Sequence, residues 1–152
     1  MNLELAASLP LIIPKAVIWA EQRAAEIASI GIALNANEIV VARGVGVANP
    51  EKIRLAFVTR LPLPDDPQLR QAAVSAGLLG PNMVGLTLGH GIYICNGFNS
   101  SRMLSHECRH VSQYERAGSI AAFLPLYLQQ IVQFGYQDAP YEIDARAHEI
   151  HA

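Results

Sequence analysis

The segment from Asn99 to Gly118 constrains this chain more than any other stretch. Asn99-Ser100-Ser101 supplies side chains that cap a helix N-terminus, and Gly118 supplies a residue that ends one, so the spacing predicts a helix reaching about Ala117. On such a helix His106 and His110 lie one turn apart, about 6 Å along the axis and on nearly the same face. Glu107 lies roughly 100° round from His106, beside that face and not on it. Leu104, Cys108, Val111 and Glu115 fall on the opposite side, so a core-facing stripe remains once the polar residues are set aside.

The rest of the chain reads as an α+β fold with a small antiparallel sheet of about three strands packed on helices. At 152 residues it makes one domain, 1–152, long enough to bury a core. Pro14 suits the first turn of a helix running to about Ser29, with Gly31 as its stop. Asn35-x-x-Glu38 reads as a capping box for a short helix ending near Gly44. From Lys52 to Leu61 the pattern changes to period two: Ile53, Leu55, Phe57 and Leu61 alternate with Lys52, Arg54 and Arg60, as in a half-buried strand. Asp66-Pro67 opens a helix that stops before Gly80-Pro81. Val84 to Leu88 and Ile92 to Cys95, either side of Gly89-His90-Gly91, read as a hairpin. After the His106 helix, a second helix covers Ala121 to Phe134 and ends at Gly135, and Asp138-Ala139-Pro140 opens a last one carrying Glu142.

Two imidazoles at this separation can reach one tetrahedral metal ion, and a carboxylate at Glu107 can take a proton from a water bound to it. A third ligand must come from elsewhere. Glu142 suits the role, because its helix follows a return helix and can fold back onto the first. Cys95 is the competing donor, since cysteine also serves zinc. His148 and His151 fall off the Glu142 face and read as a solvated tail. His90 reads as a turn residue, or as a donor to an oxyanion if the hairpin packs beside the site. Tyr114, four residues past His110, and Tyr141 are candidates to stabilise a tetrahedral intermediate. Arg109 fits a surface pair or a pair with a neighbouring helix.

The pattern His106-Glu107-Cys108-Arg109-His110, with the later Tyr141-Glu142-Ile143-Asp144-Ala145, resembles the gluzincin group of zinc metallopeptidases. The resemblance covers residues 104 to 145. It implies a Zn2+ cofactor bound by His106, His110 and Glu142, with Glu107 as general base and acid. The chain is also similar to short uncharacterised bacterial proteins in which this helix continues into a segment like Gln113-Tyr114-Glu115-Arg116. Two departures stand out. Many gluzincins carry an aspartate four residues after the third ligand, where this chain has Arg146; Asp144 is close in sequence but points to another side of the helix, away from a supporting role. The extended substrate-binding lobe of the larger peptidases is missing, which leaves a minimal cleft. Ala145 is small enough to let the two site helices approach.

The implied activity is zinc-dependent hydrolysis of a peptide or protein substrate, with catalytic roles for Glu107 and Tyr114. An extended peptide could pair with an edge strand, Val84 to Leu88 or Ile92 to Cys95. Two alternatives stay open: a binding or regulatory module with a structural metal, and hydrolysis of a non-peptide amide. With a net charge of −2 and acids and bases interspersed, no basic stripe points to nucleic acid. The slightly positive mean hydropathy points to a partner surface or a homo-oligomer. The apolar run from Ala6 to Ala20 is interrupted by Pro10, Pro14 and Lys15, so no membrane span is expected. Met1-Asn2-Leu3-Glu4 lacks the positive region of a secretory signal, and Cys95 and Cys108 form no disulfide framework; both fit a cytoplasmic setting.

Overall fold

In the computed structural model, which describes residues 2–80 and 82–151, helices and a sheet form three layers. The elements are α1 (Leu3–Ile30), β1 (Ile32–Ala33), α2 (Ala36–Gly44), a 3-10 turn (Pro50–Lys52), β2 (Arg54–Val58), α3 (Pro67–Ser75), β3 (Gly85–Leu88), β4 (Gly91–Cys95), α4 (Ser101–Ala117), α5 (Ile120–Phe134) and α6 (Pro140–Ala147).

The class is α+β, as expected, but the sheet differs from the antiparallel, three-stranded expectation. Among the described residues it has four strands in the order β1-β2-β4-β3, and β2 runs parallel to β4. The cause is the excursion through α3, which carries the chain past β2's neighbour position before the β3–β4 hairpin returns to fill it. That hairpin is antiparallel, with Gly85 opposite Ile94 and Leu88 opposite Gly91, as read from the sequence. Because β4 is paired on both sides, Ile92 to Cys95 offers no free edge. Only β3 does.

Alternation along the central strands sorts side chains between two cores. Ile92 and Ile94 of β4 join Leu55 of β2 and the Leu104, Cys108 and Val111 stripe of α4. Tyr93 and Cys95 of β4 join Ala56 of β2 and Ile12, Ala16, Ala20 and Ile27 of α1. The middle of β2 is therefore covered on both faces, not half-buried, while Phe57 near its end is 40% exposed. The strand is also shorter than the alternation suggested, since Lys52 belongs to the preceding 3-10 turn.

The first helix corrects a second expectation. It starts at Leu3, capped by the Asn2 side chain, which accepts from Leu5 N at 3.0 Å, and it runs unbroken through Pro10 and Pro14. Those prolines are one turn apart and exposed, so the carbonyls they leave without helical donors lie towards solvent, where water can satisfy them. At 28 residues the helix is long and apolar enough to cross a membrane by length and composition, so the prolines do not rule this out. Its Ile12, Ala16, Ala20 and Ile27 nevertheless pack into the core.

Other boundaries follow their local chemistry. Asn35 and Glu38 form the expected capping box. Asp66 caps α3, which ends at Ser75 and not near Gly80, because Gly77 at φ 76° reverses the chain and Leu78 N bonds back to Ala73 O. Ser100 and Gly118 bound α4 as expected, and Ser119 and Gly135 bound α5.

On the core side of α4, Glu115 ties the helix to the loop after α2. Its carboxylate accepts from Ala48 N at 2.7 Å, Asn49 N at 3.0 Å and His90 Nε2 at 2.9 Å. Burial works to raise its pKa, but these bonds outweigh it and hold the group below the ordinary carboxylate value. Such a group contributes stability above its unfolded pKa and loses it as pH falls through its folded pKa. Glu115→Gln should therefore lower the Tm by roughly 2–6 °C near pH 7, with the gap to the wild type closing below about pH 4. Circular dichroism melts at pH 7 and pH 3 check both statements.

Candidate metal centre

The polar face of α4 packs against α6, and the contact is close because Ala145 is fully buried between them. Here the structure brings together the residues singled out in the sequence. His106 Nε2 lies 3.2 Å from Glu142 Oε1, and His110 Nε2 lies 3.1 Å from Glu142 Oε2. One donor atom from each of the three residues falls within 4.8 Å of the others.

Each imidazole is held from behind. His106 Nδ1 donates to Glu149 Oε2 at 2.8 Å, and Glu149 is itself anchored by Arg102 Nε at 2.8 Å. His110 Nδ1 meets Gln113 Oε1 at 2.8 Å. The orientation of Gln113 is set by its other end, because its Nε2 donates to Tyr141 O at 3.0 Å and to Asp144 Oδ2 at 2.9 Å. The amide oxygen must then face His110, so His110 Nδ1 carries a proton, and Nε2 is the nitrogen that faces Glu142 and donates to it. Asp144 also takes Arg109 Nε at 2.7 Å, so Arg109 pairs with the neighbouring helix from a buried position. The acid near the missing aspartate thus supports His110 indirectly, through Gln113. Arg146, which occupies that aspartate's position, bonds the backbone oxygen of Gln137 instead.

Glu142 is 2% exposed and also accepts from Tyr127 Oη at 2.7 Å. Burial works to raise its pKa, and the two histidines and Tyr127 overcome this and hold it well below the usual carboxylate range. Burial likewise works to lower the pKa of His106, but Glu142, Glu107 and Glu149 raise it to about 9. His110 is raised for the same reason, with Glu142 the main partner.

Glu107 sits at the edge of the sheet. Period-two alternation in β3 turns Gly85 and Thr87 towards α4, and Thr87 Oγ1 donates to Glu107 Oε1 at 2.8 Å. Gly85 leaves room for the rest of the carboxylate, since a Cβ there would come within 3.1 Å of Glu107 Oε2 and 2.8 Å of Met103 Sδ.

Other candidates lie elsewhere. Cys95 is buried in the α1-side core, outside the cluster, and Cys108 is sealed in the α4-side core, where burial pushes its thiol up to about 12. His90 Nε2 is held by Glu115, and His90 does not line the cavity at the candidate centre. His148 bonds Asp144 O at 2.7 Å, and His151 is exposed. Tyr114 stacks on Phe123 with ring centroids 4.0 Å apart and shares a cavity wall with Glu107, and Tyr141 also stacks on Phe123, at 4.8 Å. The tyrosine that reaches Glu142 is Tyr127.

Thr87, Gly85, Tyr127 and Glu149 were not visible as site residues in the sequence. Glu149 alone left a trace, since seven residues after Glu142 is two turns on the same face. Its helix ends at Ala147, however, which hides the pattern.

No protein-family model, curated protein or solved structure matches this chain.

Crowding at Gly85 can be tested against a glycine in open space. Gly85→Ala should cost about 1–3 kcal/mol, a Tm drop of roughly 3–10 °C, as Glu107 and Met103 are displaced. Gly44→Ala, where an added methyl meets nothing within 4 Å, should be neutral or raise the Tm slightly. Thermal melts of the two variants side by side decide it.

Proposed function

We propose that this chain is a zinc-dependent hydrolase of the gluzincin kind, a minimal metallopeptidase acting on peptide bonds. The observation that carries this reading is the meeting of His106, His110 and Glu142, from two separate helices, beside the buried carboxylate of Glu107. Two imidazoles and one carboxylate make up the donor set of catalytic zinc sites, which keep a fourth position for water or substrate. The bonds behind His106 and His110 fit that use, because each holds Nε2 towards the common point, where it would give up its proton on binding an ion. Glu142 would hold the ion with them. A zinc ion bound there supplies Lewis-acid activation of water and of the carbonyl under attack.

The protein groups then divide the work. Glu107 takes the proton of the attacking water on the carboxylate oxygen left free by Thr87, and later delivers it to the leaving nitrogen. Burial raises the Tyr114 hydroxyl's pKa and keeps it protonated, so it can donate to the developing oxyanion from the wall it shares with Glu107. The free edge of β3, the strand that holds Glu107, is where an extended peptide would pair.

Metal analysis tests the assignment. Purified wild type should carry near-stoichiometric zinc, Glu142→Ala should lose it, and Glu149→Gln should weaken zinc affinity by roughly 10–100-fold. Glu107→Gln should keep its zinc while peptide turnover falls by about 10²–10⁴-fold. Zinc retained in Glu142→Ala would remove the assigned site. Unchanged function in Glu107→Gln would point instead to a binding module with a structural metal.

A further inference from the structure

One cavity, of about 130 Å³, runs from the candidate centre into the interior between the sheet and α1. Glu107, His110 and Glu142 stand at its polar end. The remaining wall is largely apolar and includes Ile12 and Trp19 of α1, Leu69 and Ala72 of α3, Leu86 of β3 and Leu128 of α5, with Thr87, Tyr114, Tyr127 and Tyr136 also lining the space. The one hydroxyl on the α1 side, Ser8 Oγ, is turned back onto Leu5 O at 3.0 Å, so it offers little to a ligand. Away from the centre the lining holds no charged side chain.

We propose that this cavity is a specificity subsite for one large apolar side chain, of leucine or phenylalanine size, flanking the scissile amide. This rests on the hydrolase reading and adds the class of substrate to it. Size sets the scale: an apolar protein cavity of about 150 Å³ holds one benzene, so the space here matches a single ring or branched aliphatic group. Chemistry sets the rest. A charged side chain entering the apolar wall would be desolvated without a partner, while a small one would leave the wall unfilled. Because the cavity meets Glu107 directly, a side chain lodged in it holds the adjoining amide beside the group that handles the proton.

Binding and turnover are measured separately. Metal-free wild type is titrated by NMR with the N-acetyl amides of phenylalanine, leucine, alanine and lysine, and the zinc-loaded protein is given peptides varied at the residues flanking one bond. The phenylalanine and leucine amides should bind at least about tenfold tighter than those of alanine and lysine, and should shift the Leu69 and Leu86 methyl signals. Ala72→Phe, which fills the cavity, should abolish the preference. Shifts confined to other methyl groups in the wild type, which need no variant to fold, would overturn the subsite. So would equal binding of the lysine and phenylalanine amides, or turnover that favours charged or small flanking residues. Selective apolar binding with no turnover of any peptide would keep the subsite and remove the hydrolase reading.

Discussion

A carboxylate buried as deeply as that of Glu142 is stable only if its charge is met on every side, since an unpaired ion in a protein interior costs several kcal/mol. Here the partners are two imidazoles from one helix and a phenol from another. Those imidazoles are themselves held by Glu149 and Gln113, and these in turn by Arg102 and Asp144. The packing of α4 on α6 is thus organised around one charge. The same arrangement orients three donors towards a common point, which is what a cation site requires.

The sheet contributes by bringing β3 alongside α4. A threonine on β3 holds Glu107 and a glycine two residues earlier makes space for it, both placed by the two-residue repeat of a strand. On the far side of the same strand, Leu86 turns towards the α1-side core and the cavity. A single edge strand therefore holds the Glu107 carboxylate and also lines the apolar space that this carboxylate borders. The long first helix closes that space with one face, while Leu3, Leu11 and Ile18 remain exposed on another.

Much of the local structure was legible because its causes are local. Ser100 and Gly118 bound α4, Asn35 and Glu38 form a capping box, and Gly89-His90-Gly91 joins a hairpin, each through contacts within a few residues. The expectations that failed depended on more distant circumstances. Pro10 and Pro14 read as breaks, but exposure of both lets α1 continue through them. The alternation around β2 read as one-sided, yet α1 covers the face that Ala56 presents, and the route through α3 turned an antiparallel sheet into a mixed one.

By itself the sequence determined which helix bears the paired imidazoles, where that helix starts and stops, and that Glu107 stands beside them, because a 3.6-residue repeat dictates which side chains share a face. It also named Glu142, Cys95 and the remaining histidines as donors to choose among. Only the tertiary structure decided between them. Whether a side chain 32 or more residues away arrives at the same point depends on how helices pack, and that is set by the volume of residues such as Ala145 and by the pairing of Arg109 with Asp144. Thr87, Tyr127 and Glu149 entered the site by that route, through contacts between elements that no repeat along the chain encodes.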